Sequence, residues 1–290
     1  MGGHAQALHC SRGGLALPEL PEVETVAADL RPHLVGRVIN GCEVRHPAVV
    51  RHPDPELFAA GVTGRRIEEI TRRGKYILFR LDSGELLVVH LGMTGQLRYV
   101  TPEVPLLTHT HAILTLDGGA ELRYRDIRRF GRLLFGTEEE LVRERKLPRL
   151  GPEPIDPEFK PIDLMARLKN RRAPVKALLL DQSVVAGVGN IYADESLFKA
   201  RLRPDRPAGS LSRPAVIRLH DALRDSLLAG IRNRGSSVDD YVDAWGEKGS
   251  QQEQLLVYGR AGEPCVNCGR PLGLVRIGGR STVFCRRCQR

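Results

Sequence analysis

The feature that most constrains the fold of this chain is a pair of Cys-x2-Cys motifs near its C-terminal end. Cys265 and Cys268 form the first motif and Cys285 and Cys288 the second, with sixteen residues between them. Each motif can supply two thiolates to a tetrahedral Zn²⁺, and the spacer is long enough for a β-hairpin turning at 276–280. Two disulfides or unrelated thiols are the alternatives, but a basic chain without a signal-peptide pattern argues against disulfides. The sequence therefore predicts one structural zinc without an open position for catalysis.

The hydropathy pattern changes once along the 290 residues, a length typical of about two domains. Residues 22–35 have helical spacing, and alternating patterns predict hairpins at 75–91 and 112–124. Residues 147–161 contain five prolines and read as a linker. Helical patterns follow at 164–168, 175–180, 191–198 and 215–231. The fold class is predicted as α+β: a β-sandwich with an N-terminal helix, a helical domain and a cysteine-rich hairpin.

The charge of the chain favours a polyanionic partner. The net charge is +9, and a field of that sign attracts nucleic acid above all. A basic enzyme with another substrate is the alternative. No apolar run approaches the roughly 18 residues that span a bilayer, so we expect a cytoplasmic, nucleoid-associated protein without membrane contact. Arginine pairs supply much of the charge: Arg65-Arg66, Arg72-Arg73, Arg128-Arg129 and Arg171-Arg172.

Pro18 and the glutamates after it, Glu19 and Glu22, predict amine catalysis. A proline nitrogen with nothing before it is a secondary amine, which can form an iminium with a sugar aldehyde carbon. The glutamates can move protons during that reaction. Seventeen residues precede Pro18, however, and an acylated nitrogen has no usable lone pair. We therefore expect residues 1–17 to be an extension that the mature protein lacks.

Two further kinds of motif suggest contacts with DNA. In Val185–Glu195, Gly187 and Gly189 allow a tight turn, Asn190 is predicted to cap the next helix, and exposed amides there suit a phosphate. An ordinary packing corner between helices is the alternative.

Glycine-flanked strand ends carry Met93, Arg128 and Phe130, which suit a wedge that fills the space left by an extruded base. The alternative is that Met93 and Phe130 are core residues.

In order and joint presence these motifs resemble the Fpg/Nei family of formamidopyrimidine-DNA glycosylases, in its Fpg branch. The resemblance runs from Pro18 to Arg290 and rests on PELPEVET, RRGKY, HLGMTG, RRFG, LGPEP, LLDQ, VAGVGNIYADE, VYGRAGEPC and the four cysteines. It implies a catalytic β-sandwich (18–147), a linker (148–161), a helical domain with a helix–two-turn–helix (162–261) and a four-cysteine zinc finger (262–290). DNA would lie across the cleft.

The resemblance also implies the role of each site residue. Pro18 would attack C1′ of the damaged nucleotide, Glu19 would act as the catalytic acid, and Glu22 would support it. Lys75 would contact a phosphate near the reacting sugar. The implied DNA contacts are His90, the void-filling Met93, Arg128 and Phe130, with Arg128 facing the orphaned base, and the phosphate clamps Asn190 and Arg280.

The function implied by this resemblance is base excision repair by a bifunctional glycosylase and AP lyase. It would act as a monomer on double-stranded DNA, removing oxidised purines such as 8-oxoguanine and formamidopyrimidines, with a Schiff base at Pro18 and β,δ-elimination. A Nei-type enzyme for oxidised pyrimidines is the first alternative. If Pro18 stays blocked, a non-catalytic DNA-binding zinc protein is the second.

The chain departs from the family pattern at two places. Leu17 stands where the family has its initiator Met, and leucine codons of the CTG or TTG kind can serve as bacterial starts, which suggests a start assigned seventeen codons too early. Gly249-Ser250-Gln251 stands where the family has Gly-Tyr-Phe. We expect that loop to close over the flipped base, with Gly246 and Gly249 as hinges.

Overall fold

The first helix, α1 (Leu20–Leu34), belongs to both halves of the molecule. The structure is a computed structural model that describes residues 17–290, so the predicted extension lies outside the described residues except for Leu17. Leu20 packs into the core of the helical half, whereas Val23, Val26 and Leu30 pack into the core of the sandwich. Because α1 joins the two cores, the glutamates at its N-terminal end lie between the two halves.

Two sheets form the N-terminal half, with strand orders β1-β7-β8-β6 and β2-β9-β5-β4-β3. The pairs are antiparallel except for β2 and β9, which are parallel. The strands are β1 (Ile39–Val44), β2 (Val50–His52), β3 (Ile67–Arg73), β4 (Tyr76–Leu81), β5 (Leu86–His90), β6 (Gly95–Val100), β7 (Thr110–Leu116), β8 (Glu121–Asp126) and β9 (Arg132–Gly136). Helices α2 (Pro55–Val62) and α3 (Glu138–Arg143) lie against this half.

Both predicted hairpins are present, as β4–β5 and β7–β8. The sequence did not predict β3, because four of its seven residues are charged and hide the alternation. This strand is specified by its pairing with β4 and by packing against α1. Tertiary pairing thus overrides a weak local pattern.

The second half contains four helices in the described chain: α4 (Pro161–Leu168), α5 (Val175–Leu180), α6 (Asn190–Lys199) and α7 (Arg213–Arg232). Their apolar faces form one core, as the periodic pattern predicted. Between α5 and α6 the chain makes a tight turn in which Gly187 has a φ of +83°. A Cβ at Gly187 would lie 2.6 Å from that of Leu20, so this position requires glycine for both reasons.

The C-terminal residues form an antiparallel hairpin of β10 (Gly273–Ile277) and β11 (Arg280–Phe284). Gly278 and Gly279 make its turn with positive φ, within the predicted 276–280. The hairpin packs against the end of α6 through Phe198. Within residues 17–290, no helix is both long and apolar enough to cross a membrane.

Candidate active site

The carboxylate of Glu19 is enclosed by the backbone turn that begins α6. One oxygen accepts a hydrogen bond from the amide of Gly189 at 2.6 Å, and the other accepts one from the amide of Ile191 at 2.8 Å. The side chain is 1% exposed. Free amides at a helix N-terminus favour negative charge. The sequence predicted that the amides of this turn bind a phosphate, whereas in the structure they bind the carboxylate of Glu19.

Glycine is required at position 189 for this contact. A Cβ there would lie 2.4 Å from the carboxyl carbon of Glu19, which is far inside van der Waals contact. The Gly-Val-Gly sequence therefore serves two purposes: Gly187 makes room for Leu20, and Gly189 makes room for Glu19. An ordinary packing corner would account for the first contact and not for the buried carboxylate.

The protonation of Glu19 is balanced between opposing effects. Burial raises its pKa to about 7, while the positive charge of Lys75 and the amide hydrogen bonds lower it. Desolvation in turn lowers the pKa of Lys75, against the attraction of Glu19 and Glu22. A carboxyl group with a pKa near neutrality is suited to giving and taking protons.

Glu22 is a second buried carboxylate, one turn along α1. Its oxygens accept hydrogen bonds from the Glu19 amide (2.8 Å), the Tyr192 hydroxyl (2.8 Å) and the Ser236 amide (2.7 Å). Burial raises the pKa of Glu22. Glu22 is therefore a fixed anchor that joins the start of α1 to α6 and to the chain after α7. Neither Tyr192 nor Ser236 was singled out from the sequence.

One cavity of about 220 Å³ brings four of the predicted residues together. Glu19, Lys75, Asn190 and Arg280 all line it. Pro18 is buried beside Glu19, and Leu17 lines the same cavity. Three positively charged or hydrogen-bonding side chains around a carboxylate form a site that can receive a phosphate-bearing sugar.

The turn that carries Lys75 is fixed by Glu153, which lies in the predicted linker. Glu153 accepts hydrogen bonds from the guanidinium groups of Arg72 and Arg73 and from the amide of Gly74, each at 2.7 Å. The RRGKY and LGPEP motifs therefore meet in space. Lys75 is placed by a residue about eighty positions further along the chain.

Asn190 does not cap α6, contrary to the prediction. Gly189 is at the N-cap position, and Asn190 is the first helical residue. Its side-chain amide donates instead to the carbonyl of Ser281, at 3.0 Å, next to Arg280. The side chain points across the cavity because its helical backbone aims it at the zinc hairpin and away from its own helix end.

A buried ion pair ties the hairpin to the helices. Lys176 Nζ lies 2.6 Å from Asp194 Oδ1 and donates to the Ser281 carbonyl (3.0 Å) and the Thr282 hydroxyl (2.7 Å). Asp194 also accepts from the amide of Val283 at 3.1 Å. This network fixes the position of Arg280 relative to Asn190. The local sequence pattern did not predict the network.

A second group of predicted residues lies on the sandwich, organised around Asp126. This buried carboxylate accepts hydrogen bonds from the Thr94 hydroxyl (2.5 Å) and from the amides of Gly131 (2.8 Å) and Arg128 (3.3 Å). It thereby joins the loop that contains Met93 to the loop that contains Arg128 and Phe130. The sequence placed both loops at strand ends but did not identify the group that joins them.

The side chains of these loops are not core residues. Phe130 is 51% exposed, and the Arg128 guanidinium carbon lies 4.7 Å from its ring centroid. Met93 is half-buried and lies outside the described apolar clusters. The alternative of Met93 and Phe130 as core residues is therefore wrong, and an exposed aromatic ring under a guanidinium is available for contact with a base.

His90 precedes the same loop and is uncharged near neutral pH. Burial, together with Lys75 and Arg132, lowers its pKa to about 4. Its Nδ1 accepts a hydrogen bond from the amide of Gly92 at 3.1 Å. Any contact of His90 with DNA therefore uses a neutral imidazole with its proton on Nε2.

The loop expected to close over the base packs against the end of α7 in the structure. Gln251 is 5% exposed and accepts a hydrogen bond from Asn233 at 2.9 Å, so it packs against the end of α7. A Cβ at Gly249 would lie 2.2 Å from the carbonyl oxygen of Gly235, so packing requires glycine here, and the role of Gly249 as a hinge stays a prediction. Gly246 has a φ of +88°, as a turn requires.

The four cysteines fit one structural zinc ion. Their sulfur atoms all lie within 4.8 Å of one another, and Sγ separations of 3.9 Å (Cys265–Cys288) and 3.6 Å (Cys268–Cys285) match a tetrahedron with Zn–S distances of about 2.3 Å. The disulfide alternative is wrong, because the four are free thiols. Four thiolates complete the coordination, so the metal organises the hairpin.

Comparison with known proteins identifies three matching regions along the chain. Three family models match: the formamidopyrimidine-DNA glycosylase N-terminal domain (17–133), its H2TH domain (150–242) and the zinc finger found in FPG and IleRS (262–290). A formamidopyrimidine-DNA glycosylase of Moorella thermoacetica is 52% identical over 260 residues, covering 90% of this chain and 95% of that protein.

Solved structures of Lactococcus lactis Fpg are similar along almost the whole chain. A variant in complex with DNA containing Fapy-dG has a TM-score of 0.87 at 34% identity, covering 94% of this chain and 100% of the other. A complex with DNA containing an abasic site has a TM-score of 0.86 at 34% identity, covering 94% and 99%. Sequence, domain order and three-dimensional structure agree, and the chain belongs to the formamidopyrimidine-DNA glycosylase family.

Proposed function

We propose that this protein is a base-excision-repair DNA glycosylase and AP lyase that removes oxidised purines, with Pro18 as its nucleophile. The observation that carries the proposal is the cavity in which Glu19 meets Lys75, Asn190 and Arg280, directly beside Pro18. A nucleophile, a proton donor of near-neutral pKa and phosphate-binding side chains are the three parts that this chemistry needs. The relatives bound to Fapy-dG and abasic-site DNA support the same substrate class.

The reaction begins at the nitrogen of Pro18. Its lone pair attacks C1′ as the C1′–base bond breaks, and the base leaves with the electron pair of that bond. The departing base takes the proton that the Pro18 nitrogen gives up, and the lone pair left on the nitrogen then forms the C=N⁺ bond as C1′–O4′ breaks. Glu19 gives its proton to O4′ in this step, which its raised pKa permits. Loss of the C2′ proton expels the 3′ phosphate, and a second elimination expels the 5′ phosphate.

The remaining site residues hold the substrate. Lys75, Asn190 and Arg280 would bind the phosphates on either side of the reacting sugar, where charge-assisted hydrogen bonds are strongest. Met93, Arg128 and Phe130 would fill the space left by the flipped base, with Arg128 facing the orphan. Glu22 would keep the start of α1 in place. The zinc holds the hairpin that carries Arg280.

This chemistry requires Pro18 to have a free nitrogen, so we propose that the catalytic form begins at Pro18 and lacks 1–17. In a longer chain the peptide bond from Leu17 removes the lone pair. We further propose a cytoplasmic, nucleoid-associated monomer with domains at 18–147, 162–261 and 262–290. The non-catalytic alternative then describes the blocked chain.

Borohydride trapping tests the proposal. Protein that starts at Pro18 is expected to form a reduced cross-link with abasic DNA, and the 290-residue chain is not. A Pro18→Gly variant of the short form, which keeps a free N-terminal amine, separates the need for an amine from the need for proline. Equal trapping by the short and long forms would show that Pro18 is not the nucleophile.

A further inference from the structure

A second basic cavity lies at the opposite end of α6 and of the zinc hairpin from the candidate active site. Its volume is about 660 Å³, and it is lined by arginines from three elements: Arg201, Arg206, Arg218, Arg287 and Arg290. Arg201 and Arg206 follow α6, Arg218 lies on α7, and the other two follow β11. No aspartate or glutamate lines it.

The two cavities are separate. α6 begins at Asn190, which lines the candidate active site, and ends just before Arg201, which lines the arginine cavity. At 1.5 Å per residue the distance along the helix is about 16 Å. The hairpin gives a similar value, because β11 runs for about 13 Å from Arg280 toward the segment that contains Arg287. One helix and one strand therefore place the arginine cavity about 15 Å from the candidate active site.

The arginine side chains of this cavity lack partners of opposite charge. None of the five guanidinium groups forms an ion pair with any residue of the described chain. The nearby Asp205 is paired with Arg203, at 2.6 Å. Arg206 and Arg218 make hydrogen bonds of 3.2–3.4 Å with a serine and with carbonyl oxygens.

Nearby negative groups compensate part of this charge but not all of it. Cys268 and Cys288 border the cavity, and four thiolates around one Zn²⁺ carry a net charge of −2. Three of the five positive charges then remain without a counter-charge. Clustered like charges oppose folding through mutual repulsion, and this repulsion is relieved when an anion binds.

We propose that this cavity binds an acidic, extended segment of a partner protein, and does so while DNA occupies the cleft. A guanidinium pairs with a carboxylate through two parallel hydrogen bonds, and arginines on three different elements can engage successive carboxylates. An extended chain advances about 3.3 Å per residue and enters such a cavity. A DNA duplex is broad and convex, and it does not.

The test measures binding of a fluorescent octapeptide of alternating aspartate and glutamate. The protein is first saturated with duplex DNA carrying an abasic-site analogue, so that the DNA cleft is filled. We expect the peptide to bind this complex as tightly as the free protein, and a matched peptide of asparagine and glutamine not to bind. In the form that starts at Pro18, Arg206→Gln/Arg287→Gln should weaken peptide binding by at least about tenfold, with lyase activity unchanged.

Control variants keep the result interpretable. Arg143→Gln/Arg172→Gln removes the same charge from exposed positions outside the cavity and should leave the affinity unchanged. If the double variant loses zinc, Arg218→Glu on α7 tests the same cavity away from the cysteines.

Three outcomes would overturn the proposal: displacement of the peptide by duplex DNA, equal weakening in the control, or tighter binding of a single-stranded oligonucleotide at these arginines. The last would make the cavity a nucleic-acid site.

Discussion

Glu19 and Gly189 are in direct contact across the two halves of the molecule: the Gly189 amide donates to the Glu19 carboxylate at 2.6 Å, and there is no space for a Cβ between them. The residues are 170 positions apart. This contact joins the start of the catalytic sequence to the turn before α6, and the position of the proton donor depends on it.

Gly189→Ala is therefore expected to displace the Glu19 carboxyl group and to lower base excision by at least about a hundredfold, the usual loss when a general acid is misplaced. The measurement is single-turnover excision of 8-oxoguanine. Gly41→Ala is the matched control, because a Cβ at Gly41 meets nothing within 4 Å. A fully active, folded Gly189→Ala protein would contradict the role of this contact.

The raised pKa of Glu19 predicts the pH dependence of excision. Its acid form is lost as the pH rises through about 7, so the rate should fall on the alkaline side. The amine of Pro18, with a reference pKa of about 8, must lose its proton and limits the rate on the acid side. A bell-shaped profile with a maximum between these values is expected, and Glu19→Gln should abolish the alkaline limb.

The same pKa sets the sign of the effect on stability. Folding raises the pKa of Glu19 from 4.5, so the native state binds this proton more tightly than the unfolded state does. The stabilisation from this group is fully present below about pH 4.5 and disappears as the pH rises to about 7. Denaturant titrations at pH 5 and pH 8 measure this effect. The free energy of unfolding of the parent, relative to Glu19→Gln, should be higher at pH 5 than at pH 8. The reverse order would contradict the raised pKa.

Removing Lys176 should damage both stability and DNA binding. Lys176→Ala leaves Asp194 buried without its partner, which costs about 3–5 kcal/mol of unfolding free energy, and it frees the strand next to Arg280. Affinity for abasic-site DNA should fall with it. Arg203→Ala breaks an exposed pair with Asp205, for which a loss of about 0–1 kcal/mol is expected. Similar losses of unfolding free energy for Lys176→Ala and Arg203→Ala would contradict the stabilising role of the Lys176–Asp194 ion pair.

Met93→Ala should impair excision from duplex DNA much more than cleavage of an abasic site. Flipping a base costs a few kcal/mol, and a side chain in the vacated space offsets part of that cost. At an abasic site no base has to be extracted. Val104→Ala, on an exposed part of the sandwich, is the control. If Met93→Ala slows both substrates equally, Met93 does not fill the void.

Loss of the metal should release the hairpin without unfolding the sandwich. Cys285→Ser is expected to reduce zinc content and DNA affinity, because structural zinc contributes on the order of 10 kcal/mol to the folding of isolated fingers. Cys42→Ser is the matched control: burial raises the pKa of the Cys42 thiol to about 12, so it is inert. Metal analysis and near-UV circular dichroism measure the outcome. An unchanged zinc content in Cys285→Ser would contradict the assignment of Cys285 as a zinc ligand.

The loop expected to cover the flipped base departs from the family pattern at two residues. Ser250 and Gln251 stand in the positions of the family's aromatic pair, and the sequence suggested that they cover the flipped base. The structure buries Gln251 against Asn233, because the segment after Gly249 turns back onto the end of α7. An aromatic residue at position 251 would have to displace that packing, and the effect of this loop on base choice stays a prediction.

The sequence by itself determined what depends on short spacing. Two Cys-x2-Cys motifs define a zinc site, alternating residues define the hairpins β4–β5 and β7–β8, and Pro18 with Glu19 defines a chemistry, because each signal lies within a few neighbouring residues. Tertiary structure alone decided what depends on distant contacts. Gly189 binds the Glu19 carboxylate, Glu153 fixes the turn that carries Lys75, and Asp126 joins two loops of the sandwich. The arginines of the second cavity come together at the C-terminal end of α6. The first of those contacts, between Gly189 and Glu19, forms because α1 packs into both cores at once. A pattern with a period of two or 3.6 residues carries no information about which distant segment will meet it.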